Sequence, residues 1–286
     1  MSDINFFDLH CDTPYKCYNE NEQFYVNQLA VSGKCGEIFE NWTQTFAFWI
    51  KDDIQNPWSL YKKMMDDFRE KIAERPKNLN PLFAVEGGAL LENDVARLYE
   101  LKNDGIKFLT LTWNGENAIA GGSKSDKGLT TFGRKVINTM NSLNIACDLS
   151  HLNDKSFFEV LEQSRFPIAT HSNCRALFNH QRNLTDGQIK LLAEKNGIIG
   201  LCFYPEFSSW DIFKGIYENI IYLCDKGYEN NIAIGSDFDG AEMSDKLCNI
   251  EQIPALYCYL RENGLEKSLL DKIFYENAYN FVANLT

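Results

Sequence analysis

Only four of the 286 residues are histidines. Three of them, His10, His151 and His171, stand directly after short apolar runs, and so do Asp12, Glu86 and Asp237. Imidazole and carboxylate together are the ligand set of divalent transition metals. His10 and Asp12 lie two residues apart on a stretch that reads as extended, so they project to one side and Cys11 to the other. A lone histidine is more often a hydrogen-bonded structural residue than a ligand. Three histidines gathered with three carboxylates are another matter, because buried carboxylates are costly without a cation. Six groups exceed what one tetrahedral zinc needs. Two ions about 3.5–4 Å apart, sharing a carboxylate and a hydroxide, would use them all. Such a pair would supply a nucleophile at neutral pH and polarise a carbonyl, with Asp237 passing the water's proton to a leaving amine. The chemistry indicated is metal-assisted hydrolysis of a substrate these residues do not name. His180, in a loop-like stretch, reads as structural, and most cysteines, Cys11 included, read as core.

Groups so far apart in the chain must be brought together by a regular frame. Eight runs rich in Val, Ile, Phe and Leu qualify as strands: 5–9, 43–49, 81–85, 106–111, 145–149, 167–170, 197–203 and 232–235. Several are almost wholly apolar, as parallel strands covered on both faces are. The intervening segments have helical period and helix punctuation. Asn56-Pro57 starts one that Pro76 stops, and Asn93 is placed to cap a second. Thr131 opens a third, Thr185 and Gln188 form a capping box, and Gly227 closes a fifth. Three short helices are expected after Pro254. Strand and helix alternating eight times predict a (β/α)8 TIM-type barrel, α/β in class, spanning residues 1–286 as a single domain. A doubly wound open sheet is the rival, but no G-x-G-x-x-G or G-x-x-x-x-G-K-[ST] follows any strand. In a barrel the chemistry sits at the C-terminal ends of the strands, where these six residues fall.

Composition narrows the partners. The formal charge is −12, from 28 Lys+Arg against 40 Asp+Glu, which disfavours a phosphate backbone or an anionic membrane surface. No run approaches the ~20 apolar residues needed to cross a bilayer. The N-terminus carries no basic segment followed by an apolar stretch, and the nine cysteines include no C-x-x-C pair. They read as reduced thiols, and the cytosol is the expected compartment. The Asn-x-Ser/Thr triplets at Asn41, Asn183 and Asn284 are then chance matches.

Six segments in order resemble the membrane dipeptidase (renal dipeptidase) family of zinc peptidases, within the amidohydrolase superfamily. They are Asp8-Leu9-His10-Cys11-Asp12, Val85-Glu86-Gly87-Gly88, Leu109 to Asn114, Asp148-Leu149-Ser150-His151, His171 through Arg182 to Thr185, and Gly235-Ser236-Asp237-Phe238-Asp239-Gly240. The resemblance covers most of the chain. It implies His10 and Asp12 on one zinc, His151 and His171 on the other, and Glu86 bridging them. It gives proton transfer to Asp237 and makes Arg182 the receiver of a dipeptide's terminal carboxylate. Trp113 and Asn114 are implied to touch substrate; renal members carry a histidine where Trp113 stands, and bacterial-type members share Thr-Trp-Asn. Many members accept a D-residue at the C-terminal position, some open β-lactams, and many are homodimers, so a homodimer is expected here.

Two other readings compete. Deaminases and lactonases of the superfamily usually open with H-x-H and often use a carboxylated lysine after the fourth strand. Here the opening is His10-Cys11-Asp12 and the fourth strand runs into Thr112-Trp113. A metal-holding barrel that only binds a peptide or amino acid would have no use for Asp237 as a proton shuttle.

Overall fold

The computed structural model describes residues 4–285. Eight parallel strands close into a barrel in sequence order. They are β1 (Phe6–Cys11), β2 (Trp42–Trp49), β3 (Leu79–Glu86) and β4 (Ile106–Thr110), then β5 (Ala146–Asp148), β6 (Pro167–Ala169), β7 (Ile198–Leu201) and β8 (Ile232–Ile234). Every run expected from its apolar content is a strand, and helices connect successive strands. This is the (β/α)8 barrel.

Two apolar layers hold it. Phe7, Leu9, Ala47, Ala84, Phe108 and Ile168 fill the barrel's inside, and Ala278 and Phe281 of the C-terminal helix Asn277–Ala283 join the same cluster. The larger cluster lies between the strands and the surrounding helices; Phe46, Phe48, Met64 and Phe68 belong to it. Alternation along each strand sends one residue to each layer, which is why both faces are apolar. At the C-terminal end the interior turns polar. Trp49 pairs in register with Glu86, Glu86 with Thr110, and Thr110 with Asp148, so these four form a row facing the mouth.

Helix punctuation held at two of the four expected N-termini. Thr185 and Gln188 form the capping box of the helix Asp186–Glu194. Thr130, one residue before the expected start, caps the helix Thr131–Leu143 by accepting the Gly133 N–H. Asn93 does not cap: it turns left-handed at φ 64°, and the helix starts only at Arg97. Asn56 precedes Pro57 as expected but is also left-handed, with no side-chain cap bond. The three C-terminal helices are Ile253–Glu262, Lys267–Asp271 and Asn277–Ala283, the last two joined by a π-turn over Lys272–Glu276.

Candidate metal centre

The six residues converge at the mouth. His10 belongs to β1, whose pairing with β2 shifts register between Asp8 and Cys11. That shift turns His10 and Asp12 inward together, with His10 Nε2 3.4 Å from Asp12 Oδ2, while Cys11 packs in the outer core. Glu86 ends β3 and faces both sides of the cluster. Its Oε2 lies 3.5 Å from His10 Nε2 and its Oε1 lies 2.6 Å from His151 Nε2. His171 Nε2 stands 2.9 Å from His151 Nε2, and Asp237 Oδ1 is 4.0 Å from His10 Nε2. His10, Glu86 and His171 offer ligand atoms within 4.8 Å of one another, and so do His10, Asp12 and Asp237.

Neighbouring polar groups orient the rings. Thr170 donates its hydroxyl to Asp148 Oδ2 at 2.6 Å, so the Thr170 Oγ1, 2.9 Å from His171 Nδ1, accepts the ring N–H. His151 likewise donates Nδ1–H to Asn114 Oδ1 at 3.0 Å. Both rings therefore present bare Nε2 lone pairs, and those lone pairs face each other. Second-sphere partners of this kind fix the tautomer that a metal requires. Asn114 thus acts on His151 as well as lining the cavity.

The donor set fits a divalent cation. His10 Nε2 and Asp12 Oδ1 are buried without a hydrogen-bond partner. Two imidazole lone pairs pointed at each other, beside three carboxylates, are tolerated only with positive charge between them. The protonation equilibria show the same demand. Burial disfavours a charged His10, but Asp12 and Glu86 outweigh it and hold its pKa well above the ordinary value. Burial also opposes ionisation of Glu86, yet His151 and His10 keep it well below the usual range. Burial and then Arg182 push His151 down to about 4. Burial and then His10 push His171 well down too. Burial, with Glu86, drives Asp12 well up, and burial raises Asp237 to about 6 against the pull of His10.

The backbone turns left-handed at two residues of the site. His151 and Asp237 have φ of 70° and 65°, a region that Asn, Asp and His enter more readily than other L-residues. Gly240 closes the turn after Asp237. A Cβ there would lie 2.1 Å from Asp12 Oδ2 and 2.7 Å from Asp237 Oδ1. Gly240→Ala is therefore expected to displace a carboxylate and lower metal affinity by roughly 10–100-fold, as loss of outer-shell support does. Competition with a chromophoric chelator checks this, and wild-type affinity in the variant would contradict it.

A cavity of about 650 Å³ opens over the cluster, lined by Asp12, Glu86, His151 and Asp237 and by Arg182, Trp113 and Asn114. Arg182, on the loop after β6, is buried against the Phe207 ring at 5.3 Å. Its Nε and Nη2 have no hydrogen-bond partner. His180 does the structural work expected, its Nδ1 accepting the Arg182 N–H at 3.1 Å, and it also lines the cavity. Sequence reasoning passed over Tyr15, Trp49, Tyr204 and Phe207, which share that lining. Trp49 carried one usable signal, being the final residue of a strand.

The sequence pattern of the membrane dipeptidase family (peptidase family M19) matches residues 52–284. The chain belongs to the membrane dipeptidase family. With that membership come the metal-dependent dipeptidase class and a divalent metal cofactor. An uncharacterized protein of Klebsiella pneumoniae from the pqqA 5' region is 30% identical over 217 residues, covering 70% of this chain and 80% of that protein. An uncharacterized dipeptidase of Schizosaccharomyces pombe is 28% identical over 199 residues, which span 66% of this chain but 49% of that one. Two solved structures share the fold. Dipeptidase AC, a metallopeptidase, superposes with a TM-score of 0.88 at 23% identity, over 98% of each chain. A Rhodobacter sphaeroides metallopeptidase, liganded with a phosphinate mimic of the dipeptide L-Ala-D-Ala, gives 0.87 at 22% over the whole of both chains. No helix among the described residues is long and apolar enough to cross a membrane.

Proposed function

We propose that this barrel, a single catalytic unit, binds two zinc ions and hydrolyses free dipeptides, including those with a D-residue at the C-terminal position. His10 and Asp12 would hold one ion and His151 and His171 the other, with Glu86 between them. The two faces of Glu86, one oxygen toward His10 and one toward His151, support the bridging role. The ions, when bound, would act as Lewis acids on the scissile carbonyl and would make a water nucleophilic at neutral pH. Asp237 takes the proton and delivers it to the leaving amine. Asn114 and Thr170 keep the imidazole lone pairs aimed inward, and Trp113 walls off the cavity beside them. The L-Ala-D-Ala mimic in the Rhodobacter sphaeroides relative supports the stereochemical part. Nine free cysteines suit a reducing compartment, and we place the enzyme in the cytosol. A homodimer is proposed on family likeness alone.

Arg182 carries the choice of a dipeptide as substrate. A buried guanidinium with two unpaired nitrogens is expensive unless an anion completes it. A substrate carboxylate one residue beyond the scissile carbonyl would do so, as a charge-assisted pair worth roughly 1.5–3 kcal/mol. Amidating the dipeptide, or extending it by one residue, is expected to cost about 10–150-fold in kcat/KM, the same energy as a rate ratio. Arg182→Ala should erase most of that difference by slowing the free acid, and Arg182→Lys should recover part of it, lacking the planar fork. Wild-type enzyme that cleaves amides or tripeptides as fast as dipeptides would remove the clamp.

A further inference from the structure

The mouth has an aromatic wall of which the chemistry above uses only Trp113. Tyr15 stands in the helix Thr13–Glu20 after β1, Trp49 ends β2, and Trp113 follows β4. Their rings meet edge to face: Tyr15 and Trp49 at 4.8 Å, Trp49 and Trp113 at 5.2 Å. All three are half-buried and line the cavity. Trp49 is level with Glu86 in the β2–β3 register, so its indole faces into the mouth as that carboxylate does. Asp52 braces the third panel, its carboxylate accepting the Trp113 N–H at 3.3 Å and the Gly115 N–H at 2.9 Å.

Closure of the barrel sets what this wall can meet. In a ring of eight strands, β2 lies across from β6. Arg182 is on the loop after β6, and the His–carboxylate cluster lies between the two sides. On the dipeptidase reading above, the substrate's carboxylate sits at Arg182 and its scissile carbonyl at the cluster. Its N-terminal residue is then carried to the far side, against Trp49. We propose that Tyr15, Trp49 and Trp113 form the subsite for the side chain of the dipeptide's N-terminal residue, and that it selects large apolar or aromatic side chains. Three packed rings present apolar surface with little conformational entropy to lose on binding. Burying a leucine- or phenylalanine-sized side chain there corresponds to roughly 10–100-fold in kcat/KM over glycine.

The test compares Leu-Ala and Phe-Ala with Gly-Ala, and Ala-Leu with Ala-Gly, on zinc-loaded wild type, Trp49→Ala, Trp49→Phe and Tyr15→Ala. Metal content and unfolding temperature confirm that each variant is folded and loaded. Wild type should favour Leu-Ala and Phe-Ala over Gly-Ala by about 10–100-fold in kcat/KM. Trp49→Ala should bring that ratio toward one, Trp49→Phe should restore part of it, and Tyr15→Ala should lower it less. The ratio of Ala-Leu to Ala-Gly should not follow. A wild type that hydrolyses dipeptides without regard to the first side chain overturns the subsite and leaves the dipeptidase reading standing. So does a Trp49→Ala ratio equal to wild type, or a change confined to the second position. Absence of hydrolysis on every dipeptide would overturn the dipeptidase reading, and the subsite with it.

Discussion

Asp237→Asn is expected to lower kcat by a factor of about 10²–10⁴, the usual contribution of a positioned general acid–base group. The substitution isolates proton transfer because it disturbs little else. Asparagine is among the few residues that accept the left-handed backbone of this position, where φ is 65°. It also keeps the volume that packs beside Gly240 and beside Cys202, whose Sγ lies 3.7 Å from Asp237 Oδ2. What disappears is a carboxylate able to take and return a proton. His151→Ala, by contrast, removes a nitrogen 2.6 Å from Glu86 and should deplete metal far more than Asp237→Asn does. Steady-state rates and elemental analysis on both variants make the comparison. A near-normal kcat in Asp237→Asn would move the proton-transfer role to another group.

Chelation should abolish hydrolysis, and added zinc should restore it. The protein itself should also respond. Three carboxylates and three imidazoles are packed at the mouth, and a cation binds that arrangement only in the folded chain. With free ion at about 1,000 times Kd, this stabilises the fold by roughly 4 kcal/mol, on the order of 10 °C in Tm for a domain of this size. Thermal unfolding with chelator, and again after adding zinc, measures it without reference to activity. Elemental analysis should give close to two ions per chain. An active preparation holding well under one ion per chain would eliminate the binuclear arrangement.

The candidate site was legible in the chain to an unusual extent, for a physical reason. Strand ends are short-range features, marked where an apolar run stops, and a parallel barrel puts every such end at one mouth. His10, Glu86, His151, His171 and Asp237 could therefore be grouped although they are spread over more than two hundred positions of the chain. The capping box at Thr185 was readable on the same principle, since both partners lie within one turn. Asn93 shows where local reading stops. It has cap chemistry, but the chain there turns left-handed, and Arg97 instead donates to the Leu90 carbonyl at 2.6 Å.

By itself, the sequence determined the alternation of strand and helix, the closed barrel it implies, and which polar side chains stand at the mouth. Those properties follow from period and from where apolar runs end, both set within a few residues. Only the tertiary structure decided how the groups meet. The bond from Asn114 to His151 spans 37 positions and that from Asp52 to Trp113 spans 61, and barrel closure, not local preference, brings such partners within reach. The register shift between Asp8 and Cys11 in β1 and the placing of Trp49 opposite Arg182 arise in the same way. Each depends on strand pairing around the whole ring, so none leaves a mark in the neighbouring residues.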